Sequence, residues 1–230
     1  MGMNKVSDVA CIGIIMDGNR RYARANNRAI FEGHAEGYTK LKEVLRWARE
    51  AAIPHVAAYA FSTENWHRSE KEVGYLMALF RSILENETRE MLLERVHVRF
   101  VGDRTRLGED MQKMMEEMEA ATADGYEITL HLLMSYGGRA EIVAATNALL
   151  QEGAASVTEE TFAERLGSRP MPDPDLIIRT GGEKRLSDFL PWQSVYSELF
   201  FVDALWPDFS REAFDSILAE FSSRDRRHGR

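Results

Sequence analysis

Apolar runs of strand length alternate with helix-period segments along almost the whole chain, and this alternation restricts the fold more than any other feature. The runs are 9–16, 55–61, 96–102, 128–134 and 175–179, with a shorter one at 199–202. They read as continuously apolar rather than alternating, the pattern of strands covered on both faces. Between them, helical spacing of apolar residues predicts helices over 38–52, 70–94, 109–123, 138–152, 159–166 and 211–222. Such an order predicts an α/β fold: a mostly parallel central sheet flanked by helices. At 230 residues, one domain over 1–230 accounts for the chain. Residues 168–175 carry prolines at 170, 172 and 174 and read as a loop within that domain.

Two predicted helices carry wide apolar faces. Met111, Met114, Met115 and Met118 recur at i, i+3, i+4 and i+7, which reads as a core-facing stripe. In 70–94, Val73, Leu76, Phe80, Ile83 and Leu84 form one stripe, with Tyr75, Leu79 and Met91 beyond it. Periodicity alone leaves two readings of that face open, a buried helix or the wall of an apolar cavity.

In open parallel sheets ligands gather at the carboxyl ends of the strands. The segments at those ends are Asp17-Gly18-Asn19-Arg20-Arg21, Ser62-Thr63-Glu64-Asn65-Trp66-His67-Arg68, Gly102-Asp103-Arg104, Ser135-Tyr136-Gly137-Gly138-Arg139 and Arg179 to Ser187. Every one contains Arg. The Arg179 segment packs three cations, two glycines and two hydroxyls into nine residues, a composition suited to phosphate or diphosphate. Asp17 adds a carboxylate able to hold Mg²⁺, beside two guanidinium groups.

The net charge of −8 argues against general nucleic-acid binding. With one cysteine, Cys11, no intramolecular disulfide can form, and a reducing cytoplasm is expected. No signal-peptide pattern or membrane-span-length apolar run is seen, so membrane contact is expected to be peripheral. The P-loop pattern and Asp-Asp-x-x-Asp are both absent.

The loops together resemble the cis-prenyltransferase family, that of undecaprenyl- and dehydrodolichyl-diphosphate synthases. The matching pieces are Met16 to Ala23, Gly33-His34-Ala35-Glu36-Gly37, Tyr59 to Arg68, Ser135 to Arg139 and Arg179 to Leu190. The series continues through Trp192-Gln193, Glu198-Leu199 and Trp206-Pro207-Asp208. They run in the family's order from about residue 9 to the C-terminus.

The resemblance implies Mg²⁺-dependent condensation of isopentenyl diphosphate with an allylic diphosphate primer, with a new cis double bond. It implies that Asp17 holds Mg²⁺ and assists departure of diphosphate. Gly18, Asn19, Arg20, Arg21, Tyr22, Arg28 and His34 would surround the primer diphosphate. Ser62, Thr63, Glu64, Asn65, Trp66 and Arg68 match a segment over the site, and Asn65 matches a position associated with proton removal. Arg179, Arg185, Leu186 and Ser187 match the isopentenyl-diphosphate cradle. Glu198 matches a second acidic residue linked to the metal, in relatives across a dimer interface. Arg227 and Gly229 match a C-terminal motif that reaches a partner subunit, so a homodimer is implied. An apolar product favours a tunnel beside the sheet, walled by Leu76, Phe80, Ile83 and Leu84 with small Ala60 at its entrance. A medium or long product is therefore expected.

The chain departs from many bacterial relatives at Arg20, Lys184 and Ser135, changes that keep the charge logic. Two alternatives stand beside the main reading. One is a head-to-middle prenyl-coupling enzyme on the same fold; the other is a noncatalytic subunit of a two-component prenyltransferase. Trp206-Pro207-Asp208 reads as structural, and His55, His97 and His131 are assigned no chemistry.

Overall fold

The computed structural model describes residues 9–224. Six strands form one sheet, each pair of neighbours parallel: β1 (Cys11–Ile15), β2 (His55–Ser62), β3 (Val96–Val101), β4 (Ile128–Tyr136), β5 (Leu176–Arg179) and β6 (Glu198–Phe201). Their order across the sheet is β3-β4-β2-β1-β5-β6. The chain passes to one side of β1 for β2 and to the other for β5. A topological switch point therefore lies between β1 and β5, where their carboxyl ends open a crevice.

Side chains alternate between the two covered faces. Ile12, Ile14, Val56, Ala58, Leu130 and Leu132 enter the larger core, packed by α2 (Ile30–Glu50), α3 (Glu70–Asn86), α4 (Thr88–Leu93), α5 (Glu109–Ala121) and α8 (Arg211–Ser223). Cys11, Ile15, Ala57 and Leu133 enter the smaller one, completed by Met171, Phe189 and Leu190. The helices α6 (Gly138–Gln151) and α7 (Glu159–Ala163) complete the chain order, together with the short α1 (Asn19–Ala25). Met111, Met115 and Met118 are buried and Met114 packs against the same core, as their spacing predicts.

Three elements differ from expectation. The chain between β1 and the predicted helix at 38–52 holds α1, and α2 begins at Ile30. Gly33 and Gly37 weaken the helical signal there, but α1 crosses directly over them. A Cβ at either would stand 2.3 Å from an oxygen of Asn19. The predicted helix 70–94 is two helices parted at Glu87, so that both Leu84 and Met91 reach the core. The predicted strands and the helix at 159–166 keep their places, with no end moved by more than three residues.

The imidazoles of His55 and His131 meet at 3.2 Å between β2 and β4. Burial, with His55 and Arg99 nearby, pushes His131 down to about 3; burial alone lowers His55. The native state thus prefers both neutral, whereas the unfolded chain takes up protons near the ordinary value of about 6.5. This contribution is complete above that value and is lost as the pH falls through it toward the native values. The midpoint of thermal unfolding is expected to fall between pH 7.5 and 5, and less steeply in a His131→Leu variant.

Candidate active site

The crevice at the switch point is a cleft of about 570 Å³. Asp17, Asn19, His34, Ser62, Glu64, Asn65, Arg68, Arg179 and Ser187 line it, brought from five separate stretches of sequence. Ile15, Met16, Tyr59, Ala60, Leu76 and Asp188 complete the wall.

Asp17 is held by its backbone. Its carbonyl accepts Thr180 Oγ1 at 2.7 Å and the Trp206 N–H at 3.0 Å, while the Trp206 indole donates to Gly37 O at 2.7 Å. Trp206 is fully buried, so the Trp-Pro-Asp segment anchors the turn at Asp17 and α2 together. The Asp17 carboxylate accepts from Arg179 Nη2 at 2.8 Å and from Arg21 Nη2 at 3.3 Å. Two guanidinium groups on one carboxylate leave an excess positive charge for an anionic ligand.

Arg179 ends β5 with a side chain only 5% exposed. Its Nη1 donates to Arg185 O at 2.6 Å and to Ser187 Oγ at 2.9 Å, and its Nε has no protein partner. Arg185 enters through its carbonyl, since its own guanidinium pairs with Glu183 outside the cleft lining. Leu186 packs into the smaller core beneath.

Arg20 and Arg68 share Glu72, at 3.4 and 2.9 Å. Glu72 was not singled out by sequence reasoning, although Ser69-x-x-Glu72 is a helix-start pattern, and Ser69 Oγ does accept the Glu72 N–H. Burial, and then Arg68, pushes His34 down to about 4, so its imidazole is neutral near pH 7. His34 Nε2 and Asn19 Oδ1 have no protein partner. Asn65 Oδ1 accepts the Ser62 N–H at 3.1 Å, which leaves its amide nitrogen as the free end.

Five expected residues lie elsewhere. Trp66 is wedged edge-on against Phe61 with Arg106 over its ring, and its N–H donates to Ser135 Oγ at 3.0 Å. It fixes the 3-10 turn at 63–67 rather than lining the cleft. Thr63 lies against Gly137. Arg28 is exposed and paired with Glu36 at 2.6 Å, and neither it nor Tyr22 lines the cleft. Glu198 does not reach the cleft within one chain. It begins β6, opposite Leu176, so it stands at the other edge of the sheet, on the order of 15 Å from Asp17 along the strands. There it pairs with Arg224 at 2.5 Å, so within one chain Asp17 and Glu198 share no metal site. Arg227 and Gly229 lie outside the described residues.

A narrow apolar cavity of about 60 Å³ continues from the cleft between α2 and α3. The two share Met16, Asn19, His34, Ala60 and Leu76, and beyond the neck stand Leu41, Leu79, Phe80 and Ile83. Leu84, the fourth expected wall residue, is in the core instead.

Comparison with known proteins gives one consistent answer. Residues 15–229 match the Prenyltransf family model, described as undecaprenyl diphosphate synthase. The chain is 42% identical to an isoprenyl transferase of Fusobacterium nucleatum over 218 residues, covering 95% of this chain and 94% of the relative. It is equally 42% identical to an isoprenyl transferase of Neisseria meningitidis, with 95% and 88% covered. Among solved structures it resembles lavandulyl diphosphate synthase from Lavandula x intermedia in complex with dimethylallyl diphosphate. The TM-score is 0.91 at 30% identity, over 99% of this chain and 100% of that one.

Proposed function

This chain belongs to the undecaprenyl diphosphate synthase family of isoprenyl transferases, and we propose that it condenses isopentenyl diphosphate with an allylic diphosphate primer to make a polyprenyl diphosphate. The observation that carries this reading is the cleft itself. The Asp17 carboxylate and three guanidinium-bearing segments meet where two diphosphates would have to lie side by side.

The primer diphosphate is assigned to the turn Gly18–Arg21, with His34 as a neutral hydrogen-bonding neighbour. Isopentenyl diphosphate is assigned to Arg179, Ser187 and the 185–187 loop, where the unfilled Arg179 Nε is a donor in search of an acceptor. As the primer's C1–O bond breaks, the isopentenyl C4 joins that carbon and a proton passes from the isopentenyl C2 to the departing diphosphate. The guanidinium groups of Arg20 and Arg21 stabilise the departing charge. Asn65, whose oxygen accepts the Ser62 N–H, orients substrate through its NH₂, and an amide is too weak a base to be the proton acceptor.

The cleft suits Mg²⁺. Asp17 supplies one hard oxygen donor, and no group of three metal-ligating side chains exists among the described residues. A carboxylate completed by substrate phosphates and waters is the ordinary Mg²⁺ arrangement. Asp17 would hold the ion, which supplies charge neutralisation to the leaving diphosphate.

The growing chain is assigned to the apolar cavity between α2 and α3. At about 60 Å³ it is small beside the cleft of about 570 Å³ that feeds it, so elongation of a long chain has to part the two helices. Ala60 stands at the neck, and Ala60→Leu is expected to shift products to shorter chains; an unchanged size distribution rejects this route. A homodimer is supported by edge strand β6 and its approach, where Val195, Tyr196 and Leu199 are 70%, 73% and 37% exposed. No helix among the described residues is long and apolar enough to cross a membrane, and delivery of a polyprenyl product calls for peripheral contact with one.

The likeness to a synthase bound to dimethylallyl diphosphate keeps the coupling of two allylic units as a second reading. Incubation with allylic primer, with and without isopentenyl diphosphate, decides between them. The proposed reaction gives product only when both are present.

A further inference from the structure

Asp188 is a cleft carboxylate with no task in the reaction just described. Asp188 lines the cleft beside Ser187, yet a negative charge next to a diphosphate cradle repels the ligand. Its hydrogen bonds point away from the substrate. Oδ1 accepts the Arg139 N–H at 3.0 Å, and its backbone carbonyl accepts the Gly138 N–H at 2.9 Å. These are the first two N–H groups of α6, whose own N-cap residue, Gly137, provides no side-chain cap. The cap comes instead from a residue 49 positions along the chain. An acceptor there satisfies an orphan donor at the positive end of the helix dipole.

The approach is close enough to exclude side chains. A Cβ on Gly137 would stand 3.0 Å from Asp188 Oδ2 and 2.5 Å from Thr63 Oγ1, and one on Gly138 1.9 Å from Pro191 Cδ. The loop beyond needs such holding. Ser187, Asp188 and Leu190 have φ of 51°, 65° and 50°, a left-handed region that non-glycine residues avoid. In this conformation Ser187 Oγ and Arg185 O both receive Arg179 Nη1, while Arg179 Nη2 reaches Asp17. A continuous set of contacts therefore runs from the start of α6, through residue 188, to the cleft's central ion pair.

We propose that Asp188 is a positioning residue: by capping α6 it holds Ser187 and Arg179 in the arrangement that receives isopentenyl diphosphate. The inference rests on the prenyl-transfer reading of the cleft. Its role needs an acceptor, not a charge. Asp188→Asn keeps the acceptor and removes the repulsion; Asp188→Ala removes both.

The test is the initial rate with isopentenyl diphosphate varied at saturating primer and Mg²⁺, together with hydrogen exchange at the Arg139 amide without substrate. Asp188→Ala is expected to raise KM for isopentenyl diphosphate about tenfold, the equivalent of one hydrogen bond, with a smaller effect on kcat and faster exchange at Arg139. Asp188→Asn is expected to return KM to the parent value or below, with parental exchange and an unchanged Mg²⁺ requirement. An Ala variant with parental KM and exchange, or an Asn variant as impaired as Ala, overturns the proposal. So does an Asn variant that needs more Mg²⁺, which would make Asp188 a metal ligand. If Asp188→Ala fails to fold, the Asn variant against the parent decides by the same criteria. A parent protein without turnover contradicts the prenyl-transfer reading instead, and Arg139 exchange then decides the cap alone.

Discussion

Asp17→Asn is expected to lower kcat by about 10³-fold, the scale of losing a principal electrostatic contact to a leaving group, in a protein that still unfolds cooperatively. The backbone of the catalytic turn does not depend on the carboxylate. Its carbonyl is held by Thr180 and Trp206, and both contacts survive the change. Asn also retains one oxygen for Arg179, so that buried guanidinium keeps an acceptor at this position. What disappears is the formal charge between Arg179 and Arg21 and the oxygen donor proposed for the metal. Steady-state turnover with saturating substrates, beside a thermal unfolding curve, checks the expectation. Near-parental kcat refutes the role given to Asp17.

Arg179→Lys is the second large effect, and here stability moves as well. The guanidinium divides its donors among Arg185 O, Ser187 Oγ and Asp17 from a position 5% exposed. An ammonium is a point charge without that planar fork. It can keep the ion pair or the loop contacts but not all three. The expected loss is about 10²-fold in kcat/KM, with about 1–3 kcal/mol of stability from the acceptor left unmade. Denaturant unfolding and kinetics on the same preparation measure both. A lysine variant with parental values would show that the charge alone suffices and that the loop does not depend on Arg179.

The sheet was legible because strands covered on both faces are written as continuous apolar runs, and the cleft because its residues cluster just past those runs. What stayed hidden has local causes. The helix α1 is seven residues with little apolar surface, so periodicity cannot report it. The first turns of α2 carry Gly33 and Gly37, which lower helix propensity while admitting the crossing of α1. Tyr59 and Asp188 act through partners far away in sequence, and Glu72 joins Arg20 to its neighbour Arg68; Tyr59 OH, for example, reaches Tyr136 O at 3.2 Å. Glu198 lies far from the cleft within one chain for a directional reason. It opens a strand whose neighbours deliver the cleft residues at their ends, and only the register of β5 with β6 reveals that. Trp66 and Arg28 belong to the right motifs, but their side chains serve packing and a surface ion pair.

Most direct of all is a crystal structure with Mg²⁺, isopentenyl diphosphate and an unreactive thiolo analogue of an allylic diphosphate. The account predicts two diphosphates in the cleft at the carboxyl ends of β1 and β5, one over Gly18–Arg21 and one on Arg179 and Ser187, with the metal on Asp17. A single diphosphate there, or both ligands at the opposite edge among Asp173, Trp192 and Tyr196, would contradict it.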